Sequence, residues 1–118
     1  MGVVGRHVYG SLYGLGEKRA YSDPDFLREL VVDAAREGNA SVLEARAWRV
    51  EGEKGGVSAI AIVLESHIAV HTWREYDYAT VDVYTCGERA DPWRAWDYIV
   101  RVLRPRDVIV HYTDRGQL

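Results

Sequence analysis

Val57-Ser58-Ala59-Ile60-Ala61-Ile62-Val63-Leu64 decides the fold: eight residues with one small hydroxyl among seven apolar side chains, closed by Glu65-Ser66-His67. It is too short for a buried helix and rich in β-branched residues, so it reads as a buried strand. Glu51-Gly52-Glu53-Lys54-Gly55-Gly56 before it is a turn, and residues 40–50 form the strand that the turn connects. Downstream, strands are expected from about Ile68 to Trp73 and from Ala79 to Thr85.

Two helices bracket this run, with the same punctuation. Asp23-Pro24 and Asp91-Pro92 each offer a carboxylate for orphan amide hydrogens and a proline for the first turn. Phe26, Leu27, Leu30, Val31, Ala34 and Ala35 recur at helical spacing, and Gly38 stops the first helix. Trp93, Trp96, Ile99, Val100 and Leu103 give the second its apolar stripe, ended by Arg104-Pro105. Residues 3–13 are a first strand with His7, Tyr9, Ser11 and Tyr13 on one face; 14–22 is a loop; 107–112 is a last strand. The order β-α-β-β-β-β-α-β predicts an α+β two-layer sandwich, a mainly antiparallel sheet with both helices on one face. The uncovered sheet face favours pairing with another subunit.

A chain of 118 residues with 47% apolar content fits one domain, 1–118. The net charge of -3 argues against a nucleic-acid partner. No apolar run is long enough for a membrane span, and Met1 to Arg6 is not followed by a secretion signal, so a cytoplasmic location is expected. Cys86 is the single cysteine, which excludes an intrachain disulfide and a thiol zinc site. His67 and His71 stand four apart, but on a strand that spacing is roughly 13 Å, too far for one metal ion, so no metal is expected. The sequence has no glycine-rich nucleotide loop, CxxC pair or GxSxG elbow.

Leu64-Glu65-Ser66-His67 places a hydroxyl and two titratable groups directly after a buried strand. A polar turn is the bland reading. Ser66 and His71 have opposite parity on an unbroken strand, so a functional reading requires a strained bend near Ser66.

Glu65-Ser66-His67-Ile68 with His71-Thr72-Trp73-x-Glu75-Tyr76 closely resembles the processing site of the small prokaryotic S-adenosylmethionine decarboxylases. The likeness continues through Tyr78-Ala79 and Asp82-Val83-x-Thr85-Cys86-Gly87-Glu88, and upstream to Gly56-Val57-Ser58 and Gly5-Arg6-His7. The resemblance implies a proenzyme that cuts itself between Glu65 and Ser66, giving a β chain of residues 1–65 and an α chain of residues 66–118. Ser66 would attack the Glu65 carbonyl, and elimination would leave a covalent pyruvoyl cofactor on the new N-terminus. That ketone would hold the substrate amine as a Schiff base and take up the electrons left by carbon dioxide. His71 matches the histidine assigned to proton transfer in processing, Ser58 the serine that positions the ester, and Cys86 the general acid of decarboxylation. For Ser58 the plain alternative is a strand hydroxyl, and His67 reads as a structural histidine. Trp73 and Glu75 match positions bordering the substrate. The resemblance also implies a homodimer of processed protomers, sheet against sheet, in a four-layer αββα arrangement.

The match departs where relatives hold a nucleoside. Ser11 and Leu15 stand in the first strand where a glutamate and a cysteine are usual, and Arg74 replaces a proline. Residues 48–56 lack the phenylalanine-x-proline segment. His7-Val8-Tyr9-Gly10-x-Leu12-Tyr13 and Glu53-Lys54-Gly55-Gly56 are similar to a crenarchaeal branch that decarboxylates arginine. The expected reaction is therefore arginine to agmatine, feeding polyamine synthesis, with Glu75, Asp77 or Asp82 as the carboxylate for the guanidinium. S-adenosylmethionine decarboxylation by the same mechanism, and a non-processing regulatory partner, are the alternatives.

Overall fold

The computed structural model describes residues 3–116. Strand β1 (Gly5–Leu15) is followed by a 3₁₀ turn (Lys18–Tyr21) and helix α1 (Pro24–Glu37). Strands β2 (Val42–Val50), β3 (Gly56–Val63), β4 (Ser66–Trp73) and β5 (Tyr78–Cys86) come next, then helix α2 (Pro92–Leu103) and strand β6 (Pro105–Asp114). All neighbours pair antiparallel in one sheet of order β2-β3-β4-β5-β1-β6. The expected α+β sandwich is what forms, with both helices packed on one sheet face.

The proline-capped starts form as read. Asp23 accepts the Phe26 N–H at 3.1 Å, and Asp91 accepts those of Trp93 and Arg94. The end of α1 has a different cause from the one expected. Gly38 keeps a negative φ, and Asn39 takes the left-handed conformation at φ 59°. Glycine is needed at 38 because a Cβ there would lie 2.8 Å from the Asp91 carbonyl oxygen and 3.1 Å from the Ala95 methyl. The two helix ends therefore meet backbone to backbone.

Strand alternation sorts the faces. Val8 and Leu12 of β1, Val57, Ala59, Ala61 and Val63 of β3, Ile68 and Val70 of β4, and Ala79, Val81 and Val83 of β5 are buried beneath the helices. Leu27, Val31, Ile99 and Leu103 close this core from the helix side, each fully buried and each contributing about 1.5–3 kcal/mol. The other face carries His7, Tyr9, Ser58, His67, His71, Trp73, Asp82, Tyr84 and Cys86, with Trp48 and Ile62 about half exposed. Among the described residues, no helix is long and apolar enough to cross a membrane.

Candidate active site

The hairpin between β3 and β4 sets the first half of the site. Leu64 and Glu65 form its tip, and Val63 pairs with Ser66. β4 therefore begins at Ser66, two residues earlier than the alternation suggested. Ser66 has φ 155°, outside the region that L-residues ordinarily occupy. The strained bend that a functional reading required is thus present at Ser66 itself.

The Glu65-Ser66 peptide is held from several sides. The Cys86 N–H donates to the Glu65 carbonyl oxygen at 2.8 Å. The Glu65 carboxylate turns back to accept the Ser41 N–H at 2.9 Å, and the Leu64 N–H donates to the Ser41 carbonyl oxygen at 2.8 Å. A carbonyl that accepts a fixed backbone N–H is polarised at carbon, and the same donor stabilises an oxyanion formed there. Cys86 sits beside it, half-buried, with its Sγ donating to the Tyr84 hydroxyl at 3.4 Å. That bond raises the Tyr84 pKa. The Arg115 guanidinium lies 4.0 Å from the Tyr84 ring centre.

The second half stands at the other end of the sheet. Ser58 and His71 are cross-strand partners, with Ser58 Oγ and His71 Nδ1 2.8 Å apart. Trp73 stacks on Tyr78 at 5.3 Å, and Glu75 lies exposed in the following turn. His71 is five strand positions from Ser66, about 16 Å at the usual rise. The single chain therefore brings Glu65, Ser66 and Cys86 together, and Ser58, His71 and Trp73 together, but does not join the two groups.

Between them lies a polar cluster that reading single motifs missed. His7 Nε2 is 3.1 Å from the Asp82 Oδ1, and His67 packs edge-on against Tyr84 at 5.9 Å. Burial lowers the His67 pKa and favours its neutral form. The alternation of Asp82, Tyr84 and Cys86 along β5 was the available signal. Asp77 is removed from the open face: its carboxylate accepts bonds from the Tyr21 hydroxyl, Lys18 Nζ and the Leu15 N–H. Of the three acids considered for a guanidinium, that leaves Asp82 in the sheet and Glu75 in the turn. Among the described residues, no group of three His, Cys, Asp or Glu side chains converges as metal ligands would.

Residues 6–116 match the sequence model of the family described as S-adenosylmethionine decarboxylase. The chain is 57% identical over 114 residues to an arginine decarboxylase proenzyme of Ignicoccus hospitalis, covering 97% of this chain and 78% of that protein. With the arginine decarboxylase proenzyme of Aeropyrum pernix it shares 55% over 115 residues, 98% of this chain and 86% of that one. With that of Hyperthermus butylicus it shares 53% over 116 residues, 98% of this chain and 81% of that one. A crystal structure of the adenosylmethionine decarboxylase from Aquifex aeolicus superposes with a TM-score of 0.86 at 31% identity, covering 98% of this chain and 93% of that one.

Proposed function

The chain belongs to the S-adenosylmethionine decarboxylase family, and from this we propose that it is a self-processing, pyruvoyl-dependent arginine decarboxylase, yielding agmatine and carbon dioxide. The observation that carries the reading is the Glu65-Ser66 peptide, strained at Ser66 and with its carbonyl oxygen bound to the Cys86 N–H.

Cleavage follows from this chain's own residues. The Ser66 hydroxyl attacks the Glu65 carbonyl carbon, the C–N bond breaks, and the hydroxyl proton ends on the freed Ser66 nitrogen. The Cys86 N–H stabilises the charge passing through the Glu65 oxygen. Elimination then removes a proton from the Ser66 Cα and expels the main-chain carboxylate that now ends the β chain at Glu65. Water displaces ammonia from the remaining fragment, completing the cofactor on residue 66. His71, held by Ser58, is suited to proton transfer because one imidazole nitrogen can accept a proton while the other donates.

The surroundings of Ser66 fit a pyruvoyl group: the residue is only partly buried, so a substrate can reach it, and the Cys86 thiol lies on the adjoining strand. When formed, this group supplies the electron-accepting ketone that amino-acid decarboxylation requires. Cys86 then delivers a proton from its thiol.

Separation of the two half-sites supports a homodimer in a four-layer αββα arrangement. If two open faces pack about a two-fold axis lying across the strands, opposite ends of the two sheets overlie each other. His71 of the partner subunit then comes to Ser66, and Trp73 and Glu75 border the substrate from across the interface. The exposed Trp48 and Ile62 would be covered by the same contact. The substrate is a small molecule, an amino acid, and the expected location is the cytoplasm.

Arginine is favoured over S-adenosylmethionine because the relatives named for it stand at 53–57% identity, against 31% for the adenosylmethionine enzyme. A site built to hydrogen-bond a guanidinium rejects a ligand lacking it by roughly 10⁴-fold or more. Intact-mass spectrometry should show chains of residues 1–65 and 66–118, the second without a free amino terminus, and Ser66→Ala should stay whole. Carboxyl-labelled arginine should release carbon dioxide and carboxyl-labelled S-adenosylmethionine little. An intact wild-type chain that still decarboxylates would refute the mechanism; preference for the nucleoside would overturn the substrate.

A further inference from the structure

Two buried polar side-chain atoms have no hydrogen-bond partner among the described residues: Thr85 Oγ1 and Arg6 Nε. They are neighbours. Arg6 lies opposite Thr85 in the β1–β5 ladder, and Thr85 lies opposite Ser66 in the β4–β5 ladder. The three residues form one row across adjacent strands, at the level of the Glu65-Ser66 peptide.

The face of the row is set by alternation. Thr85 follows Ala79, Val81 and Val83, all beneath the helices, and is itself 1% exposed. Arg6 reaches the same side, since its Nη2 donates to the Ala90 carbonyl oxygen just before α2. The Cys86 N–H bond to Glu65 makes Glu65/Cys86 a hydrogen-bonded pair, so Ser66/Thr85 is the intervening, closer kind. Residues opposite each other in such a pair have Cβ atoms about 4.5–5.5 Å apart, near enough for two hydroxyls to meet.

An unpaired hydroxyl in a core costs stability, and valine fills the same position elsewhere on this strand at Val81 and Val83. A threonine there, beside a second unpaired donor and opposite the reacting serine, points to work in cleavage. We propose that Thr85, polarised by Arg6, is a positioning residue for self-cleavage, a role that rests on the reading of Ser66 as the attacking group.

When the Ser66 side chain turns to attack, its oxygen comes to the otherwise unpaired Thr85 hydroxyl, which holds it toward the Glu65 carbonyl carbon, while the Arg6 charge favours departure of the serine proton. The bond from Ser66 Oγ to the Glu65 carbon forms, the peptide C–N bond breaks, and the proton passes from the serine oxygen to the Ser66 nitrogen. Thr85 and Arg6 are unchanged at the end.

The test follows cleavage of the full chain by mass spectrometry in wild type, Thr85→Val and Thr85→Ser, with melting temperatures measured in the uncleavable Ser66→Ala background. Thr85→Val should slow cleavage at least about tenfold without lowering the melting temperature, and Thr85→Ser should restore most of the rate. Wild-type cleavage by Thr85→Val overturns the role. So does slow cleavage by both variants with a lowered melting temperature, which would make Thr85 a packing residue. A wild-type chain that never cleaves removes the reading beneath it, and this role with it.

Discussion

Thr72 and Thr85 are both buried threonines of the central sheet, at 4% and 1% exposure, yet replacing each with valine should have different consequences. Thr72 Oγ1 accepts the Val57 N–H at 2.9 Å and donates to the Ala20 carbonyl oxygen at 2.8 Å, tying the 3₁₀ turn to β3 and β4. Valine there strands one buried donor and one acceptor, at about 1–3 kcal/mol each, and recovers under 1 kcal/mol from the added methyl. The net loss is about 1–5 kcal/mol. A chain of 118 residues has an unfolding entropy of about 0.25 kcal/mol/K, so Tm should fall by about 4–20 °C. Thr85 Oγ1 has no bond to lose, and Thr85→Val should leave Tm unchanged or raise it. Thermal unfolding followed by circular dichroism, with both changes in a Ser66→Ala background, gives the comparison free of cleavage. Equal falls in the two variants, or an unchanged Tm for Thr72→Val, would refute the hydrogen-bond accounting.

Cys86→Ala should lower turnover by about 10²-fold or more and convert the N-terminal group of the α chain progressively to alanine, seen as a mass change after turnover; wild-type rates without inactivation would return Cys86 to a packing role. For pH, burial holds the folded pKa of His67 below its ordinary value of 6.5, so folding disfavours its proton. Its contribution to stability is therefore complete above about pH 6.5 and declines as pH falls through that value. The Glu17 carboxyl, bonded by Arg19, is lowered from 4.5 to about 2, so its contribution fades as pH falls below 4.5. Tm of the Ser66→Ala protein should drop between pH 7 and 5.5, and His67→Asn should flatten that segment; an unchanged slope would remove His67 as its source.

Sequence alone determined what depends on near neighbours in the chain. The helices over 24–37 and 92–103 were legible because Asp-Pro caps and apolar spacing act within a few residues, and the central strands because alternation sorts their faces locally. The motif around Glu65, Ser66, His71 and Cys86 was legible for the same reason. Pairing between distant segments was not. Only the folded sheet places the Cys86 N–H on the Glu65 carbonyl, sets His71 against Ser58 and away from Ser66, and lines up Arg6, Thr85 and Ser66 in one row. Those contacts join residues 13 to 79 positions apart. Their partners are fixed by strand register and order, which the whole core decides, because a slip of one residue would turn every side chain of a strand to the opposite face.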